Sequence, residues 1–376
     1  MSLSINTIWF ILFFVVGISF WLEKNTKFGK SIGATLLCVL FGMGLSNLNL
    51  VPIESNVYTN VFSTITYLAI VFLLLSVNLS SIFSVGPKLL IIFLISCLCT
   101  CIGSIIAFLC LNSFLGDLSW KLAGVLTGTY TGGSLNFVGV AHALEFPSSH
   151  FSAAAAADNI VTAIWIGLCL ILPKLIGKFY PKFKLNTNFI ESKTKTENFS
   201  LTQSISIIDS SLLCALGYLI LEISATIHAL TPAIPKVIWI TTISLILAQI
   251  KYIQSLKGGF LLGMIGLHLF FVVIGIGSRF ASVIDSGGII FAFTTIVVVI
   301  HALLLLLSAK LFKWDINSTL VASQAAIGGP STAMGLAITK KWNQLAIPGL
   351  LIGLAGYAVG NYLGIFIATI LKLFFI

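Results

Sequence analysis

An all-α polytopic membrane protein of two inverted-topology repeats is the fold class this sequence predicts. Three observations predict it. Hydrophobic residues make up 58% of the 376-residue chain and charged residues 8%, against roughly 25% charged in an average soluble domain. The mean hydropathy is +1.10. The two halves of the chain also carry apolar and glycine-broken segments in the same order. With 20 Lys and Arg and 11 Asp and Glu, the chain cannot cover a soluble protein of this size with polar surface. That excludes a water-soluble enzyme, a disordered chain, a disulfide scaffold and a nucleic-acid-binding domain. The net charge of +9 reads as basic residues flanking apolar spans.

Apolar stretches of spanning length fall at about 6–22, 32–50, 57–78, 88–112, 153–177, 206–230, 234–250, 258–278, 286–311 and 345–374, each near the roughly 20 residues that a bilayer core demands. The first follows no basic segment and precedes no small-residue cleavage signal, so it reads as a retained helix. Two further stretches, 120–145 and 317–341, are interrupted at their centres by Gly, Ser, Thr and Asn. The only long polar linker divides an N-terminal repeat, 1–178, from a C-terminal repeat, 205–376, with 179–204 between them. Gly132, Gly133, Gly139 and Ala141 match Gly328, Gly329, Gly335 and Ala337 at a constant offset of 196, as Val125 matches Val321. That identity, together with the matching order of elements, points to an internal duplication.

The lysines bear on topology. If both broken stretches are hairpins that dip into the membrane and return, ten crossings place sixteen basic residues inside and four outside. If both cross fully, the better orientation gives twelve and eight. The positive-inside rule favours hairpins and a cytoplasmic linker. Five crossings per half invert the second half, so the hairpins enter from opposite sides and their Gly-Gly tips approach each other near the midplane. Full-length broken helices are the other reading. Irregular backbone at that depth survives only where protein or a water-filled cavity satisfies it.

A helix restarting after Gly133 points free N–H groups and the positive end of its dipole into the membrane interior, which suits a carboxylate. The substrate residues expected on this ground are Thr131, Gly132, Gly133, Ser134 and Asn136 in the first hairpin. In the second they are Gly328, Gly329, Pro330, Ser331 and Thr332, with Pro330 suited to a first helical turn. Close packing of small residues is the competing structural reading. Hydroxyl and amide groups at Thr127, Thr129, Asn159, Gln324 and Asn361, together with the Asp158 carboxylate, are expected to hold a coupling ion. Sodium is preferred because oxygen ligands outnumber titratable groups, and a proton taken up by Asp158 is the other option. An ionisable group inside a span costs about 2.5–3.5 kcal/mol on insertion scales. Asp158 reads as the opening of its span, and Glu222, inside the sixth span, as facing the protein interior in a functional role or, as the other reading, as a structural hydrogen bond or interface position. No pair among His142, His150, His228, His268 and His301 has metal-ligand spacing, so no transition metal is expected. His268 and His301 read as a proton relay or as satisfied interior histidines. The seven cysteines all sit in apolar runs and read as small hydrophobes. No nucleophile-elbow, zincin or phosphate-loop motif occurs, so no enzyme, cofactor or nucleic-acid partner is expected.

The run Gly128-Thr129-Tyr130-Thr131-Gly132-Gly133-Ser134-Leu135-Asn136, its partner Ala326-Ile327-Gly328-Gly329-Pro330-Ser331-Thr332-Ala333, and the run from Gly353 through Gly356 and Asn361 to Gly364 resemble the YjcL-like family of integral membrane proteins. That family has long been known as a domain of unknown function. Tyr130 stands where the family pattern calls for tryptophan. More distantly, the arrangement is similar to sodium-coupled elevator carriers such as the citrate, glutamate and bile-acid symporters. That likeness implies an elevator-type architecture. Scaffold helices would lie in 1–80 and 205–280, moving cores in 81–178 and 281–376, and a homodimer would form through the scaffold. The expected function is cation-coupled secondary transport of a small polar, carboxylate-bearing solute, in a bilayer that the composition suggests is a bacterial inner membrane. A passive channel is the runner-up, and a membrane-embedded enzyme comes third.

Overall fold

The computed structural model describes residues 3–181, 206–278 and 280–375. Most of the expected linker lies outside the described residues. The first half forms α1 (Ile5–Asn25), α2 (Lys27–Ile32), α3 (Ala34–Asn47), α4 (Asn56–Asn60), a π-helical turn (Val61–Ile65), α5 (Thr66–Leu75), α6 (Leu79–Phe83), α7 (Pro87–Leu115), α8 (Leu118–Gly132), α9 (Ser134–Ala143) and α10 (Ser148–Ile176). The second forms α11 (Ile207–Leu230), α12 (Lys236–Leu247), α13 (Lys251–Ser255), α14 (Gly259–Ile276), α15 (Phe280–Leu311), α16 (Ile316–Ile327), α17 (Gly329–Thr339) and α18 (Asn343–Phe375). No strand occurs among the described residues. This is a polytopic all-α membrane protein.

Among the described residues, eight helices are long and apolar enough to cross a membrane. The other two expected spans, 32–50 and 234–250, appear as α3 and α12, with 14 and 12 residues. At 1.5 Å per residue they extend about 21 and 18 Å, short of the ~30 Å hydrocarbon core. The apolar runs are longer than the helices because Gly33, at φ 82°, severs α2 from α3, and Pro235 precedes α12.

The last four elements of each half match in order and length. Helices α7 to α10 have 29, 15, 10 and 29 residues, and α15 to α18 have 32, 12, 11 and 33. Matching helices meet head to tail. Gly103 of α7 faces Val297 of α15 while Thr100 faces His301, and Gly259 of α14 lies beside Ser76 while Gly266 lies beside Ile65 at the other end of α5.

The helices sort into two packed groups. Helices α1, α3, α5, α11, α12 and α14 pack mainly on one another, as do α7 to α10 with α15 to α18. Glycines hold the first group tight, since a Cβ at Gly42 would strike the Val272 carbonyl and one at Gly275 the Val39 carbonyl. Polar pairs stitch the groups together. Ser152 Oγ meets Ser278 Oγ at 2.6 Å, Asn361 Nδ2 donates to Thr241 Oγ1 at 2.9 Å, and the Tyr362 hydroxyl meets Thr242 Oγ1 at 2.7 Å.

Two expected placements change. Helix α10 begins at Ser148, so Asp158 lies in its third turn, about 15 Å along the helix, rather than opening the span. The alanine run before it is helical. Glu222 is exposed on the outer face of α11, because that helix turns Leu213, Gly217, Ile220, Leu221 and Ser224 inward. Of the cysteines, Cys110 and Cys214 are exposed and the other five buried, all of them free thiols.

Candidate functional site

Both broken segments fold back as hairpins. Helix α8 ends at Gly132 and α9 restarts at Ser134, across Gly133 at φ 73°. Helix α16 ends at Ile327 and α17 runs from Gly329 at φ 81°. An L side chain strains at such φ, so both tips call for glycine. In hairpin 1 a Cβ at Gly128 would lie 2.9 Å from Val140 Cγ2 and 3.1 Å from the Asn136 carbonyl. At its base, Lys121 Nζ donates to the Glu145 carbonyl at 3.4 Å. The two arms therefore run antiparallel and both ends sit together. In hairpin 2, Gly349 of α18 touches Val321 of one arm and Ala333 of the other. Asp315 anchors the base of this hairpin. Its carboxylate accepts from the Ser318 N–H at 2.8 Å and from Lys88 Nζ at 2.8 Å.

Helix α18 brings the hairpins together. Its small residues Gly349, Gly353, Gly356, Gly360, Gly364 and Ala368 recur every three or four positions on one face. Gly353 lies against Pro330, Gly356 against Thr131 and Gly132, Gly360 against Asn136, Gly364 against Gly128, and Ala368 against Gly124. Reading along α18, hairpin 2 runs from base to tip and hairpin 1 from tip to base, so the hairpins enter from opposite ends of the helix. A Cβ at Gly133 would sit 3.7 Å from Gly329 Cα and 3.8 Å from the Tyr357 ring. The tips meet.

At that junction α9 and α17 both start without a side-chain cap, leaving backbone N–H groups free. Asn136 donates from Nδ2 to the Gly356 carbonyl at 3.1 Å, and its Oδ1 has no partner. Gln324 is fully buried, beside Gly328 and Thr332, and neither of its amide atoms has a partner. Ser331 is exposed, and Ser134 and Thr332 are half-buried. Thr332 Oγ1 donates to the Gly329 carbonyl at 3.0 Å. Gly132, by contrast, serves close packing, because a Cβ there would strike Asn136 and the Gly356 carbonyl.

The ion residues do not form one cluster. Thr127 and Thr129 are buried in α8, as is Thr131 of the expected substrate set. Thr127 donates to the Ala123 carbonyl at 2.8 Å and Thr131 to the Thr127 carbonyl at 2.7 Å. Asp158 accepts from Thr162 Oγ1 at 3.2 Å and faces the Tyr130 hydroxyl. That buried hydroxyl has no hydrogen-bond partner of good geometry. Asn159 turns away. Its Nδ2 donates to the Ala155 carbonyl at 2.8 Å, and its Oδ1 lies near Gly33. Asn361 joins α18 to α12 through Thr241, with its Oδ1 beside Gly139. It is not the repeat mate of Asp158, because the 196 offset puts Leu354 there. Among the described residues no group of three His, Cys, Asp or Glu could hold a metal ion.

Sequence reasoning missed the side chains of α7 that serve the tip of hairpin 1. The last carbonyls of a helix need partners, and inside a membrane water does not supply them. Thr100 Oγ1 donates to the Tyr130 carbonyl at 3.0 Å, and Cys97 Sγ reaches the Thr131 carbonyl at 4.0 Å. Cys97 is thus more than a small hydrophobe. Near the base of the same hairpin, a cavity of about 200 Å³ lies between Phe62, His142, Glu145, Phe151 and Phe270. It opens along the boundary between the two helix groups.

Residues 10–374 match the family described as protein of unknown function DUF819. The chain is 29% identical over 390 residues to the uncharacterized membrane protein YjcL of Bacillus subtilis (strain 168), covering 98% of each. The eight apolar helices and this relative agree on a multi-pass integral membrane protein. The resemblance carried by the two glycine-broken runs and the α18 glycines is thereby borne out, and the chain belongs to the DUF819 family of YjcL-like membrane proteins.

Proposed function

We propose that this protein is a cation-coupled secondary transporter of a small polar, carboxylate-bearing solute, working by an elevator-like exchange of access. One observation carries the reading. Two glycine-broken hairpins from opposite ends of α18 meet tip to tip and present uncapped helix starts beside the unpartnered Oδ1 of Asn136 and the unpartnered side-chain amide of Gln324. Free N–H groups and the helix dipole favour an anion there, and buried polar atoms without partners are costly unless a ligand satisfies them. The head-to-tail pairing of α7 with α15 and of α5 with α14 supports inverted repeats about an axis in the membrane plane. The two helix groups supply a scaffold and a moving core, and few polar pairs among the described residues cross the boundary between them. Sodium is the preferred coupling ion, with Asp158 and the Tyr130 hydroxyl as the first ligands. A bacterial inner membrane, a cytoplasmic linker and a scaffold-mediated homodimer complete the proposal.

A passive channel would line a continuous polar path, whereas polarity here concentrates at the tips. The test is thermal stability of the purified protein in detergent, in sodium against potassium at equal ionic strength, with small carboxylates, amino acids and short peptides added. A ligand at 100 times its dissociation constant adds about 2.7 kcal/mol. Stabilisation by sodium that one solute class enhances is the expected result. A response to no ion and no solute contradicts the coupled-site reading. Gly133→Leu and Gly329→Leu, at wild-type expression, should each lose both the sodium and the solute response.

A further inference from the structure

We infer that His301 is a positioning residue: a neutral imidazole, protonated on Nδ1, that ties hairpin 1 and hairpin 2 into one hydrogen-bonded unit. Only its mechanical consequence, that the two hairpins travel together, rests on the proposed transport reading. The bonding pattern stands without it.

His301 lies in α15, fully buried, as are Thr100, Ser323 and Tyr130, with Trp165 4% exposed. Both ring nitrogens have partners. Nδ1 meets Thr100 Oγ1 at 2.9 Å and Nε2 meets Ser323 Oγ at 2.8 Å. The protons can be assigned from what surrounds them. Near the C-terminus of α8, the Thr129 carbonyl takes the Gly133 N–H at 2.6 Å, while the Tyr130 carbonyl takes Thr100 Oγ1 at 3.0 Å. Among the described residues the other acceptor for that hydroxyl in its own helix is the Ser96 carbonyl at 3.4 Å, which is also a partner of the His301 ring. With its single hydrogen on the Tyr130 carbonyl, Thr100 can meet Nδ1 only as an acceptor, so Nδ1 carries the proton. On the far side the indole of Trp165 is a donor only, and it donates to Ser323 Oγ at 3.1 Å. The Ser323 hydrogen then goes to a bare Nε2.

The opposite tautomer is poorer. Ser323 would accept twice and its own hydrogen would have no acceptor among its partners in the described residues. The Tyr130 carbonyl would lose its donor, leaving an orphan polar group in a dry interior, where each such group costs roughly 1–3 kcal/mol. A neutral Nδ1–H ring satisfies all four contacts. The bonds then run in one direction, from Trp165 of α10 through Ser323 of α16, His301 of α15 and Thr100 of α7 to the Tyr130 carbonyl of α8. One run of bonds through the ring therefore links an arm of each hairpin, α16 directly through Ser323 and α8 by way of Thr100, and neither arm shifts at this level without breaking a bond in that run.

Two measurements test this, and neither involves transport, so failure here and failure of the transport reading are distinguishable. First, nitrogen-15 histidine spectra of the wild-type protein in lipid, with the His301 signal identified by its loss in His301→Ala, should show the proton on Nδ1. A proton on Nε2, or on both nitrogens, overturns the assignment. Second, amide hydrogen exchange is followed in three variants. An Asn amide reaches about where Nδ1 lies and a Gln amide about where Nε2 lies. His301→Asn should therefore speed exchange in hairpin 2 by roughly five- to tenfold, the equivalent of one lost hydrogen bond, and leave hairpin 1 unchanged. His301→Gln should do the converse, and His301→Ala should loosen both. Equal acceleration of both hairpins in all three variants is what simple packing would give, and it overturns the inference, as does no acceleration in any.

Discussion

Gly356→Leu should fail to assemble the junction of the two hairpins, while Gly335→Leu should be tolerated. A Cβ at Gly356 would lie 2.5 Å from the Thr131 carbonyl oxygen and 2.9 Å from Gly132 Cα. Both neighbours are backbone and cannot rotate aside. Gly132 is equally constrained from its own side, since its Cβ would strike the Gly356 carbonyl. Any side chain at Gly356 therefore pushes α8 off α18 and breaks the bond from Asn136 Nδ2 to the Gly356 carbonyl. Overpacking a well-packed core costs about 1–3 kcal/mol and more where nothing can yield. Gly356→Leu belongs at the upper end or beyond, with a large loss of thermal stability in detergent. At Gly335 nothing lies within 4 Å of a Cβ and φ is not in the left-handed region, so leucine there should cost little. Equal melting of the two variants would show that the α18 contacts are not what holds the junction.

Gln324→Met should make the empty protein more stable and deaf to its ligand. Gln324 is fully buried and neither its Nε2 nor its Oε1 has a partner. Leaving such groups unsatisfied costs about 1–3 kcal/mol, and replacing them with an apolar group of similar shape recovers much of it. Methionine approximates the length and flexibility of glutamine. A gain in melting temperature without solute, combined with loss of the solute-induced gain, is the signature of a group held unsatisfied for a ligand. A loss of stability would mean that Gln324 is structural and would remove it from the site.

The two glycine-broken tips were legible because their cause is a backbone requirement. Gly133 and Gly329 occupy positive φ at the two tips, and only glycine adopts it cheaply, so the requirement leaves a mark at a fixed offset in sequence. The long helices were legible from hydropathy over about 20 residues. The short α3 and α12 were not, because apolar loop residues at a helix end look the same as apolar helix. Asp158 read as a helix start for the reverse reason, since an alanine run carries no cap signal. Most of the site's hydrogen bonding lay beyond sequence reasoning. Thr100 caps a carbonyl 30 residues away, and His301 contacts Thr100 across 201 residues. Neither spacing repeats in a way that a periodicity exposes. Asn159 and Asn361 had suitable chemistry for an ion site, but Asn159 bonds the Ala155 carbonyl and Asn361 bonds Thr241 of α12. The α18 glycines stood out only as a family run, and nothing in it told that their partners are both hairpins in turn.

The central claim is that the two hairpins enter from opposite faces of the membrane and meet at one site. Asp117 marks the base of hairpin 1 and Thr339 that of hairpin 2, and both are exposed. Each is replaced by cysteine and treated in intact cells with a membrane-impermeant thiol reagent, with the wild type as blank, then again after the inner face is opened. Asp117→Cys should label from outside, and Thr339→Cys only once the cytoplasmic face is accessible. Labelling of both from the same side would contradict the account.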